Sequence, residues 1–120
     1  MTSETGLVQF ATIYPGWYPS RTIHIHFKIR MPMGNNAAYD FTSQMYFDEA
    51  ISKEVLAMGP YAKTPGTRMI FNDDDHIFNG TAMNGQKPTN GTKPPGTDTM
   101  VTIAKLGSGY TGMLKVGLKI

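Results

Sequence analysis

Residues Thr22–Arg30 read TIHIHFKIR, a strict two-residue alternation that suits an extended strand and little else. Successive strand side chains point to opposite faces, so His24, His26, Lys28 and Arg30 share one face. Ile23, Ile25, Phe27 and Ile29 share the other, which is β-branched or aromatic throughout and needs a core to cover it. The polar face carries two imidazoles with Cα atoms about 7 Å apart, a spacing from which both can converge on one metal ion. Just upstream, the Pro15-Gly16 turn brings Tyr18 toward the same face. A phenolate with two imidazoles suits hard trivalent iron better than zinc or copper. The plainer reading makes His24 and His26 solvated positions, Tyr18 a turn residue packed on Trp17 or Pro19, and Arg21 a surface charge.

Strand signals dominate the rest of the chain. Leu7–Ile13 alternates loosely up to the Pro15-Gly16 turn. Pro32–Asn36 reads as a loop, followed by a strand over Phe41–Phe47. There Phe41, Ser43, Met45 and Phe47 fall on one face, and Thr42, Gln44 and Tyr46 on the other. Asp48 is placed to cap a short helix carrying Ile51, Val55 and Leu56, which Gly59-Pro60 stops. Asn72–Thr97 reads as one long loop, and its run Asp73-Asp74-Asp75 as solvated, with His76 structural or exposed. Met100–Leu106 and Gly109–Ile120 make a closing hairpin around Gly107-Ser108-Gly109. The nine methionines are expected to fill gaps in the core. The expectation is an all-β chain with one short helix, residues 1–120 forming a single domain with a modest core.

Bulk composition excludes several classes. The formal net charge is +2, and the basic residues are scattered rather than gathered into the face that nucleic acid demands. No apolar run approaches the roughly 20 residues of a membrane-spanning helix, so no membrane partner is expected. There is no charged-then-apolar leader at the N-terminus, and localisation stays unassigned with secretion open. The absence of cysteine removes disulfides and thiolate ligands. Asn79-Gly80-Thr81 and Asn90-Gly91-Thr92 are glycosylation sequons of a kind that glycine-rich loops generate by chance.

Three segments together narrow the field: Thr12-Ile13-Tyr14-Pro15-Gly16-Trp17-Tyr18-Pro19, then Arg21-Thr22-Ile23-His24-Ile25-His26, then Thr42-Ser43-Gln44-Met45-Tyr46-Phe47. This pattern resembles the intradiol ring-cleavage dioxygenases, the family of the protocatechuate and catechol dioxygenases, strongly from Gly6 to Tyr61 and weakly beyond. The resemblance implies a β-sandwich, N-terminally incomplete because the family's catalytic domain has further strands ahead of this motif. It implies a non-haem Fe(III) cofactor held by Tyr18, His24 and His26, with Tyr18 the ligand that leaves when catechol binds. It makes Arg21 an arginine beside the substrate and Gln44 a pocket glutamine, so that Tyr18, Arg21 and Gln44 form the catalytic set. The substrates would be a catechol-type ring and O₂, and the product a muconate-type diacid.

One family feature has no counterpart in these residues. A second tyrosinate ligand belongs to a segment upstream of the Thr12–Pro19 motif; Tyr14, Tyr39, Tyr46 and Tyr61 are candidates within the chain, none at the family's position, and a neighbouring subunit or that upstream segment is the expected donor. A partial sandwich would expose an apolar face or an unpaired edge, so self-association or a second chain is expected to complete it. Two classes therefore stand side by side: an iron-dependent intradiol dioxygenase, and a catalytically idle assembly or binding module on the same scaffold.

Overall fold

A strand with one apolar face needs a neighbour to satisfy its backbone and a layer to cover that face, and the chain supplies the neighbour immediately. In the computed structural model, which describes residues 1–82, 87–89 and 91–119, β1 (His24–Gly34) pairs antiparallel with β2 (Ala37–Tyr46). Asn35 and Asn36 close this hairpin with φ of 49° and 60°, the left-handed pair that a two-residue turn of matching twist requires. Opposed residues share a face, so the register His24↔Tyr46 and His26↔Gln44 puts both imidazoles beside Gln44 and Tyr46. Ile25↔Met45 and Phe27↔Ser43 occupy the reverse face.

Asp48 caps α1 (Glu49–Leu56), its side chain accepting from the amides of Ala50 and Ile51. A second hairpin, β3 (Thr102–Leu106) and β4 (Gly109–Met113), follows near the C-terminus. The two hairpins form separate two-stranded sheets. A parallel bridge between Tyr46 and Met100, with the Val101 amide donating to the Tyr46 carbonyl at 2.8 Å, links them. The core lies at this junction: Ile23, Phe47 and Val101 are buried, with Tyr14, Trp17, Ile25, Met45, Leu56 and Ile103 packed around them. Each fully buried aliphatic or aromatic side chain contributes about 1.5–3 kcal/mol.

Several expectations are corrected. Leu7–Ile13 forms no strand; it lies in the open, with Phe10 82% and Ile13 76% exposed, because among the described residues no strand runs beside it to share hydrogen bonds. The radius of gyration, 16.3 Å against about 14 Å for a compact chain of this length, reflects that openness. The second strand of the C-terminal hairpin stops at Met113, short of the expected Ile120, which lies outside the described residues. Met1, Met33, Met58, Met69 and Met113 are exposed and fill no gap. The Asn72–Thr97 stretch contains 3₁₀ turns at Asn72–Asp74 and Pro95–Thr99 and a one-turn helix, α2 (His76–Asn79). Asn79 is buried with its Nδ2 donating to the Asp73 carbonyl, so its sequon offers no free amide, while Asn90 lies outside the described residues.

The Pro95–Thr99 turn packs on α2 through a close approach. A Cβ added at buried Gly96 would fall against Cγ and Cδ2 of Phe78, itself only 4% exposed. Gly96→Ala is therefore expected to destabilise the fold by about 1–3 kcal/mol, the range for overpacking. Urea denaturation with an unchanged slope and a lowered midpoint would register it; an unchanged midpoint would show that Phe78 yields at no cost.

Candidate metal and substrate site

Tyr18 reaches the histidine face through the turn Tyr18–Arg21. Pro19 stands at its second position and Ser20, with φ of 78°, at its third, the pattern of a type II turn. Pro15-Gly16, expected to do this, makes no turn. The Tyr18 hydroxyl lies 3.4 Å from His24 Nε2, and the His24 and His26 ring centroids are 5.0 Å apart. His24 Nδ1 donates to the Thr22 carbonyl at 2.7 Å, which leaves Nε2 as the lone-pair nitrogen turned toward Tyr18. Burial pushes the His24 imidazole below its ordinary pKa, and the positive charge of Arg21 adds to that push, so it stays neutral at pH 7 as a ligand must. Tyr18 is 51% exposed and His26 is exposed, so the cluster opens to solvent.

Arg21 is no surface charge. Its side chain is 12% exposed, with Nε donating to Asp75 Oδ2 at 2.7 Å and Nη2 to Gln44 Oε1 at 2.5 Å. Asp75 is fully buried and also accepts from the amides of Thr22, Ile77 and Phe78 at 2.9–3.0 Å, the last two as the cap of α2. Burial alone would raise the Asp75 carboxyl; the hydrogen bonds from Arg21, Phe78 and Thr22 outweigh it and hold the group below the usual carboxylate range. The acidic run is thus not a solvated loop at its third residue. Thr22, also fully buried, joins this cluster to a second one. Its hydroxyl donates to Asn72 Oδ1 and accepts from Arg68, whose guanidinium clamps Glu49 at 2.6 and 3.0 Å.

On the same hairpin face an open cleft of about 380 Å³ is lined by His26, Gln44, Tyr46, Ile77, Gly96 and Thr99, among others. That volume falls within the range of small-molecule sites. Gln44 links the two features, since its Oε1 accepts from both Arg21 and Tyr46 while its side chain lines the cleft. Tyr46 is buried edge-on against Phe78, and burial pushes its hydroxyl up to about 12, so it remains a neutral donor.

The fold brings together Tyr18, His24, His26, Arg21 and Gln44, all named from the sequence. It gives none of the four internal tyrosine candidates to the histidines: Tyr14 bonds Ser52, Tyr39 the Lys119 carbonyl, Tyr46 Gln44 and Tyr61 the Tyr14 carbonyl. Among the described residues, no three His, Cys, Asp or Glu side chains group to hold a metal; the set here is two imidazoles and a phenol. That donor chemistry fits ferric iron. Sequence reading missed Asp75. The available signal was local, an acidic residue two before the apolar pair Ile77-Phe78, with Gly80 in left-handed conformation beyond them.

No family model matches this sequence, and no curated protein matches it. Among solved structures, an intradiol ring-cleavage dioxygenase from Tetranychus urticae is similar over 94% of the chain, with 31% identity and a TM-score of 0.67. The chain spans 47% of that protein's length. This likeness supports the intradiol ring-cleavage dioxygenase family for the chain.

Proposed function

We propose that this chain, as one intradiol dioxygenase-like domain unit over residues 1–120, carries the ferric site of an enzyme that cleaves a catechol-type ring with O₂. The observation that supports this best is the placing of Tyr18, His24 and His26 on one hairpin face, at 3.4 Å and 5.0 Å separations, beside a cleft floored by Gln44. Tyr18, His24 and His26 would hold the iron. When bound, it would draw electron density from the catechol so that the ring reacts with O₂, opening between the hydroxylated carbons to a muconate-type diacid.

The chain's own groups supply the rest. Tyr18, exposed and in reach of His24, is the base that accepts a catechol hydroxyl proton. Arg21, fixed behind Gln44, offers positive charge to the negative charge that develops on the ring. Gln44 lines the cleft while its Oε1 accepts from Arg21. The two hairpins would be parts of the family's β-sandwich, completed by further strands from self-association or a second chain.

Iron loading tests the reading. A phenolate bound to Fe(III) gives a burgundy charge-transfer colour, and addition of catechol should shift it and start oxygen uptake. The competing reading, an idle assembly module, draws support from exposed Leu7, Phe10 and Ile13 on a segment that no strand covers. Protein that stays colourless after loading and sediments as an oligomer would favour that module.

A further inference from the structure

We propose that Asp75 is a positioning residue for Arg21, holding its guanidinium at one place behind the cleft; this inference rests on the ring-cleavage reading of the same site. An arginine side chain has many rotamers, and a charge stabilises a transition state only when it is fixed before the reaction begins. Two acceptors grip Arg21. Gln44 is neutral and itself lines the cleft, whereas Asp75 is charged, fully buried and contacts both Nε and Nη2. Asp75 is in turn held in place, since it also accepts from the Thr22 amide, two residues before β1, and from Ile77 and Phe78 in α2.

The path of support therefore runs from the backbone, through Asp75, to Arg21, to Gln44 and the cleft. Asp75 is absent from the cleft lining, so it acts on turnover through the groups it holds, Arg21 first among them. Its burial and its charge are what a mere helix cap does without, because asparagine caps as well as aspartate. Ile77, from the helix that Asp75 caps, lines the cleft too, so the same residue registers the cleft wall against the guanidinium.

The test is a double-mutant cycle on the iron-loaded protein, with Asp75→Asn, Arg21→Gln and the pair, following oxygen uptake with catechol. Asp75→Asn keeps the cap on one oxygen but removes the charge and puts an NH2 where the other oxygen accepts from Arg21 Nε and the Thr22 amide. It is expected to lower kcat by roughly 10–100-fold, the usual cost of losing an outer-shell partner, with KM little changed. In the Arg21→Gln background it should cost much less. An equal loss in both backgrounds, or no loss in either, overturns the proposal and leaves Asp75 a structural cap.

The Arg21 Nε–H resonance of metal-free, ¹⁵N-labelled protein gives a second readout that needs no turnover. It should be slowly exchanging in the native chain and fast in Asp75→Asn. If the native chain shows no ring cleavage, the enzyme reading fails while this signal still decides the positioning. If Asp75→Asn does not fold, the native signal decides alone, and fast exchange there overturns the proposal.

Discussion

Asp75→Ala should cost the fold about 3–5 kcal/mol, the range for stripping one partner from a buried ion pair. The variant leaves Arg21 Nε without its carboxylate in a setting only 12% exposed, orphans the Thr22 amide and uncaps α2 at once. Domains of this kind have total stabilities of about 5–15 kcal/mol, so the loss is a large share. Circular dichroism melts should show Tm falling by on the order of 10–20 °C. A drop of only a degree or two would mean that the Arg21 pair contributes nothing beyond what water would.

The same carboxyl sets a pH dependence whose sign is determined. Its folded pKa lies below its unfolded one, so the native state binds fewer protons there and is favoured when the group is ionised. The contribution is fully present above the unfolded value of about 4 and is lost as pH falls through the folded value. The stability gap between the native chain and Asp75→Ala should therefore hold at pH 7 and narrow in acid. A gap that is constant down to pH 3 would assign the loss to the missing side-chain volume instead.

The second large effect is expected at His24. His24→Ala removes the imidazole whose Nε2 meets the Tyr18 hydroxyl and whose Nδ1 is anchored on the Thr22 carbonyl. On the proposed ferric site, where His24 would be a direct ligand, its loss should weaken iron binding by more than the roughly 100-fold that an outer-shell change costs, with colour and ring cleavage disappearing together. The fold should survive, because His24 is only partly buried and outside the core formed by Ile23, Phe47 and Val101. Elemental analysis of the loaded variant beside a thermal melt separates the two. Full iron occupancy in His24→Ala would remove the histidine from the ligand set.

The geometry also explains how a small core supports a polar site. Two guanidinium–carboxylate clusters, Arg21 with Asp75 and Arg68 with Glu49, meet at the fully buried Thr22. Thr22 stands two residues before the strand that carries both histidines, so each cluster ties the entry to that strand to a different helical element: α2 through Asp75 and α1 through Glu49. Buried polar atoms of this kind are costly unless satisfied, and among the described residues none lacks a hydrogen-bond partner.

Local rules accounted for much of this protein before any tertiary information. Period-two alternation identified β1 and its two faces and Asp48 announced α1, because strand periodicity and capping act within a few residues, while the resemblance to a family motif singled out Tyr18, Arg21, His24, His26 and Gln44 together. Where β-propensity needed a partner, local reading overreached: Leu7–Ile13 has the composition of a strand but nothing beside it to pair with. Tertiary structure alone decided that Asp75, 54 residues from Arg21, is buried against it rather than solvated, and that the four other candidate tyrosines point to partners of their own. Those outcomes depend on which distant groups share a desolvated space, and a buried charge takes its meaning from the partner that folding brings to it.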